Sequence, residues 1–199
     1  MPNVQRFPKE TAFGDLIWTL DVERWTLNVF FILMLIHQIF TSPGHNYFGH
    51  HGRPPGDFSL VPAEGIECVA GQGIRGDRFF AYGEDYKGQI TFFSREVFEL
   101  MTREFGLTNK SADVLRRNLI VSGVDLNELI GCDFGLQGVH FRGMTECKPC
   151  YWMDTAFAPG AEKFLAGRGG LRARILSTGW VSVGDAQLEI VSRANGKEA

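Results

Sequence analysis

Apolar positions along this chain fall into short runs of about four to eight residues, parted by stretches rich in Gly and Pro. Runs of that length predict strands rather than long helices. Residues 66–70, 89–93, 119–124, 139–144, 172–177, 180–183 and 187–191 are read as strands, and Gly184 with Asp185 marks a tight reversal between the last two. A helical period shows clearly over 94–105, where Glu96 and Glu99 suit the positive end of a helix dipole and Gly106 supplies the stop. Val97 stands where a capping box would place Glu or Gln, so Ser94 must cap alone. A shorter helical turn covers 125–130, ended by Gly131. Over 21–40, helix-compatible residues give way to β-branched and aromatic ones, which predicts a short helix running into a strand at 36–42. Residues 42–62 carry Pro43, Gly44, Gly49, Gly52, Pro54, Pro55 and Gly56, and such crowding predicts a long ordered loop.

Composition narrows the class. The 199 residues are 44% apolar and 22% charged with 24 glycines, which suits one turn-rich β domain. Residues 1–35 are read as an N-terminal extension and 36–199 as that domain. A net charge of -3 offers no global attraction for phosphate backbones, so nucleic acid is not an expected partner. The apolar stretch at 27–40 is interrupted by Asn28, His37 and Gln38 and falls short of the roughly 20 residues of a spanning helix, so no membrane partner is expected. Cys68, Cys132, Cys147 and Cys150 are too few and too unevenly spaced for a disulfide framework, and the first ten residues lack a secretory pattern. A reducing, cytoplasmic setting is the expectation.

Candidate chemistry lies in a few motifs. Residues 71–76 satisfy GxGxxG, but no helical period follows the third glycine, so the segment is read as a loop between strands, with Arg75 and Arg78 able to make it an anion-binding one. Cys147-Lys148-Pro149-Cys150 supplies at most two zinc ligands with no second pair at matching spacing; a redox dithiol and a pair of buried small hydrophobes are the other readings. His45, His50 and His51 sit in the Gly/Pro loop as solvated or capping residues, or as metal ligands. Arg116, Arg117 and Asn118, just before a strand, form either a basic turn facing water or a phosphate grip.

The ordered set Gly76-Asp77-Arg78, then residues 117–123 (RNLIVSG), then 146–150 (ECKPC), then 167–173 (GRGGLRA) resembles the MOSC family, named for the C-terminal domain of molybdenum cofactor sulfurases. The resemblance covers about 36–191 and implies a closed or partly open antiparallel β-barrel with a few peripheral helices. It also implies binding of the molybdenum cofactor (molybdopterin), a pterin dithiolene with a phosphate tail. Cys150 matches the cysteine that ligates the metal in relatives reducing N-hydroxylated compounds. Arg116 or Arg117 with Asn118 matches the phosphate grip, although the Arg-Arg pair departs from the family's Arg-Pro form. Arg75, Arg78 and Lys148 complete the expected cofactor-binding set, with His45 and Asn46 as loop candidates for substrate contact. Two functions follow from the resemblance. One is an oxidoreductase acting on a small-molecule substrate with electrons from a separate donor protein. The other is a sulfur carrier exchanging a Cys150 persulfide with a donor or acceptor protein, its thiolate favoured by Lys148 and the arginines.

Overall fold

The computed structural model describes residues 17–22, 25–45, 58–83 and 85–193. Among these, β1 (Ile17–Val22) forms a hairpin with the start of β2 (Trp25–Thr41), and β2 continues into a barrel. The barrel runs β2, β12 (Gly184–Arg193), β8 (Cys132–Leu136), β9 (Val139–Glu146), β10 (Leu171–Ile175), β6 (Ile90–Ser94) and β7 (Leu119–Ser122), closed by pairing of β7 with β2. β3 (Val61–Ala63) pairs with the end of β2. A separate three-stranded sheet is built from β11 (Gly179–Ser182), β4 (Gly65–Val69) and β5 (Gly73–Ile74). The predicted mainly β barrel with few helices is what forms. It is mixed rather than wholly antiparallel, because α1 (Arg95–Glu104) crosses over between β6 and β7 and forces them parallel.

The barrel core is filled from alternate positions, including Ile90 and Phe92 on β6, Leu119 and Val121 on β7, and Leu171, Ala173 and Ile175 on β10. Phe134 and Phe141 stack at 5.5 Å, with Phe92 set edge-on to both. A register shift in β2 between Ile36 and Gln38 puts His37 in a β-bulge. Inward positions therefore pass from Met34 and Ile36 to Ile39, and the parity of the strand reverses. A second apolar cluster covers the outside of the wall, where Phe93 and Ile120 meet Phe98 and Met101 of α1, Met153 of α2 (Trp152–Ala156) and Ala161 of α3 (Ala161–Phe164).

Local expectations fare unevenly. Ser94 caps α1, accepting the Val97 amide at 3.1 Å, and Gly106 ends it at φ 63°. The predicted helix over the first half of 21–40 does not form; β2 is extended throughout, since pairing with β1 and β12 outweighs local helix propensity. Gly184 and Asp185 do mark a change of direction, but not a hairpin, because β11 pairs with β4 while β12 enters the barrel between β2 and β8. β8 has no counterpart among the predicted strands. Its hairpin with β9 turns at Gln137 and Gly138, both at positive φ.

Candidate functional site

Strands β10, β6 and β7 lie side by side and send their alternate residues outward. Arg172 stands opposite Thr91 on this outer wall. Four segments meet beside it: the end of β2 through Ser42 and His45, Asp77 to Phe79 and Tyr86 before β6, residues 116–118 before β7, and Cys147 after β9. Two buried polar side chains pin them together. Asp77 accepts the backbone amides of Ser42 (3.0 Å) and Phe79 (3.1 Å), and Asn118 Nδ2 at 3.4 Å. Asn118 donates through the same nitrogen to the Phe40 carbonyl, while its Oδ1 accepts from Thr91 N and Thr91 Oγ1. Buried groups satisfied this completely hold the loops in one arrangement.

Arg78 projects from this latch with a side chain only 7% exposed, and its Nη1 makes no hydrogen bond; the nearest carboxylate oxygen, on Asp77, is 3.7 Å away. Its guanidinium lies over the Phe79 ring at 5.0 Å. Burial holds Arg78 below its ordinary pKa, with Asp77 and Tyr86 working against that. Arg116 is nearby. Burial first, then the positive charge of Arg78, takes its guanidinium down to about 10. His45 sits against Phe79 at 4.8 Å and is likewise held below its usual value by burial and then by Arg78. Two guanidiniums and an imidazole held toward its neutral form crowd one place, and a buried guanidinium donor among them is unmet.

Cys147 lies at the other end of the cluster. Pairing of β9 with β10 aligns Glu146 with Leu171, which carries Cys147 toward Arg172. Arg172 donates through Nη1 to the Tyr86 hydroxyl at 3.3 Å, and the Cys147 sulfur lies within its electrostatic reach. Burial acts against the charge on Arg172, yet the Cys147 sulfur and Tyr86 oxygen hold its pKa above the ordinary value. Arg78 lies within electrostatic reach of both Tyr86 and Cys147. The glycines of 167–170 serve this placement: a Cβ on Gly169 would strike the Cys147 carbonyl, and one on Gly170 the Phe92 carbonyl.

The residues singled out by sequence divide into three groups. Arg78 and Arg116 come together as described. Arg117 is occupied within the fold, donating to the carbonyls of Leu115 (2.7 Å), Cys147 (3.0 Å) and Gly169 (3.1 Å), and Asn118 is part of the latch. Arg75 is exposed and paired with Glu67 at 2.6 Å, on the hairpin of β4 and β5 that contains the GxGxxG segment; no helix follows it. Lys148 is exposed and Cys150 half-buried, in a turn-free segment whose last carbonyl accepts the Met153 amide at the start of α2. Asn46, His50 and His51 lie outside the described residues. Arg172 and Tyr86 were not singled out. Alternation along β10, with Arg172 between Leu171 and Ala173, was the available signal for the first. Among the described residues no group of three or more His, Cys, Asp or Glu could hold a metal ion by itself. Two surface clefts, of about 420 Å³ beside Glu96 and Asp125 and about 340 Å³ beside His140 and Glu189, include neither the thiols nor Arg78.

Comparison with known proteins then decides the family. A profile of the MOSC domain matches residues 49–187, more than half of the chain. The chain belongs to the MOSC domain family. Solved structures agree on the MOSC fold. The YuaD protein from Bacillus subtilis is similar with a TM-score of 0.64 at 17% identity, covering 81% of this chain and 98% of its own. YiiM from Geobacillus stearothermophilus gives 0.61 at 18% identity, over 82% of this chain and 77% of that one. YiiM from Escherichia coli gives 0.56 at 18%, over 82% and 70%. Among curated proteins no significant match was found. Among the described residues no helix is long and apolar enough to cross a membrane.

MOSC domains are associated with the molybdenum cofactor. The residues on this outer wall fit such a group. Its phosphate tail needs buried, unspent cationic donors, and Arg78 Nη1 beside Arg116 is one. Its metal favours soft sulfur, and the Cys147 thiol lies within electrostatic reach of Arg78, with the half-buried Cys150 three residues further along the chain.

Proposed function

We propose that this MOSC protein binds the molybdenum cofactor on the outer wall of its barrel and reduces N-hydroxylated compounds. The buried, unmatched Nη1 of Arg78 carries this reading, because a donor held away from water without a partner is costly unless a ligand completes it. Arg78 and Arg116 would grip the phosphate, and His45 would stand at the rim in its neutral form. Cys150, half-buried and outside the Arg172 contact, would offer its sulfur to the metal. When bound, the cofactor supplies two-electron redox chemistry and a place for the oxygen removed from the substrate.

The chain's own residues do the positioning. Arg117 fixes the Cys147 carbonyl, and with it the segment that leads to Cys150. Arg172 and Tyr86 hold Cys147 to one side, so that the two sulfurs have different surroundings. Tyr86 receives a hydrogen bond from Arg172 and keeps its own proton; burial, opposed by Arg172, raises its pKa and holds the hydroxyl neutral as a proton donor. Electrons would come from a separate donor protein.

Metal and pterin analysis of the protein, purified from cells that make the cofactor, tests the reading. The expected outcome is molybdenum and pterin near one per chain, lost in Cys150→Ala for the metal and in Arg78→Gln for both, while Cys147→Ala retains both. Absence of molybdenum together with sulfane sulfur released from Cys150 by reductant would overturn it in favour of a persulfide carrier.

A further inference from the structure

The first two strands form a ribbon that leaves the barrel. β12 accompanies β2 only as far as the pairing of Glu189 with Phe31 and then runs on with β8. Trp25 to Phe30 of β2 therefore pair with β1 alone, and among the described residues β1 has no second neighbour. A two-stranded ribbon by itself is marginally stable in water and needs something packed on it. Directly paired residues share a face, and the register sets Trp18 with Val29, Leu20 with Leu27 and Val22 with Trp25 on one side. Thr19 with Asn28 and Asp21 with Thr26 take the other side. The apolar side is continuous with the outside of the barrel. Alternation carries it along β2 to Leu33, which is 76% exposed between the half-buried Ile32 and the buried Met34. The ribbon lies outside residues 49–187, the part that matches the family profile, and the chemistry proposed above makes no use of it.

We propose that this apolar face is the interface of a homodimer, in which the ribbons of two copies pack face to face about a two-fold axis. A face with no polar member is complementary to itself, which is what an isologous contact requires. Two sheets laid together in this way sit about 10 Å apart and bury both inner faces, so each ribbon gains the second layer it lacks. The size suffices. Trp18, Trp25 and Phe31 at about 150–250 Å² each, with the leucines and valines among them, reach the roughly 800 Å² per partner of a standard interface. Charge argues against a lipid surface as the occupant, because residues 17–33 carry Asp21, Glu23 and Arg24 and no lysine, whereas segments that lie on membranes are rich in basic residues. Residues 1–16, interrupted by Pro2, Pro8 and Gly14, hold no alternating apolar run that could cover the face instead.

Sedimentation velocity of the full chain over a dilution series tests this, with a mass of two chains expected. Leu27→Glu, at the middle of the face, should weaken the dimer by about thirtyfold or more, as the loss of a central interface residue does. Leu33→Glu is the second variant: its side chain already meets water in the single chain, so the barrel should fold as before while the dimer weakens by about fivefold. Asn28→Glu, on the opposite side of the ribbon, should leave association unchanged, and far-UV circular dichroism checks that each variant folds. A mass of one chain throughout the series overturns the proposal. So does a dimer that both Leu27→Glu and Leu33→Glu leave intact, which would put the contact elsewhere on the molecule. Flotation with mixed phosphatidylcholine and phosphatidylserine vesicles covers the remaining occupant, since a monomer that floats with them would assign the face to lipid and overturn the proposal too. None of these outcomes depends on molybdenum content, so the dimer and the functional reading stand or fall separately.

Discussion

Cys68 and Cys147 are buried to nearly the same degree, 0% and 3% exposed, yet they occupy opposite chemical worlds. Cys68 points into the barrel interior among Ile66, Ile74 and Val181, and burial pushes its thiol up to about 12. Cys147 lies on the far side of the wall with both Arg172 and Arg78 within electrostatic reach of its sulfur. Depth alone therefore says little about a thiol. What separates the two is whether a cation shares the burial: Cys68, on β4 of the three-stranded sheet, faces the apolar core, whereas Cys147, just past β9, lies near Arg172.

The comparison can be broken at several strengths. Phe134→Ala opens the inner side, removing a ring packed against Phe92 and Phe141; it should cost about 3–5 kcal/mol in a urea titration. A smaller loss would mean that the interior repacks freely and is not the rigid frame supposed here. Asn118→Ala attacks the outer side by leaving the Thr91 amide and the Phe40 carbonyl without their partner, an expected cost of about 1–3 kcal/mol. Hydrogen exchange should show the loosening confined to residues 75–89 and 116–118.

A third test uses pH. The raised pKa of Cys68 means that the unfolded chain loses this proton from about pH 9 upward while the folded chain keeps it to about 12. Its contribution to stability is thus complete below pH 9 and falls by about 1.4 kcal/mol per unit above it. Cys68→Ala should flatten that slope relative to the unaltered protein, and identical slopes would contradict the assignment. Arg75→Ala should be the quietest change, with neither the unfolding midpoint nor phosphate binding affected, since Arg75 and Glu67 pair in open solvent.

Much of the frame was readable along the chain because local signals and tertiary pairing agreed. Ser94 caps where the apolar period begins, and the alternation of 171–175 matches the face it buries. β8 was illegible for a physical reason. Asp133 and Gly135 look like breakers, but Asp133 faces outward to a bidentate pairing with Arg142, and Gly135 lies beneath the His140 ring. At the site, sequence named Arg116, Arg117 and Asn118 together and could not divide their labour. Only the fold reveals that Arg117 is consumed by three carbonyls and Asn118 by the latch. The partnership of Cys147 with Arg172 depends on the register of β9 against β10, which no spacing along one strand encodes.

Arg117 has one further implication, for biosynthesis. Because a single side chain ties together carbonyls drawn from Leu115, Cys147 and Gly169, no growing chain that stops short of these residues can shape the outer wall. That surface is therefore a property of the finished fold, closed only when segments 30 and 52 residues away along the chain have come together around one guanidinium.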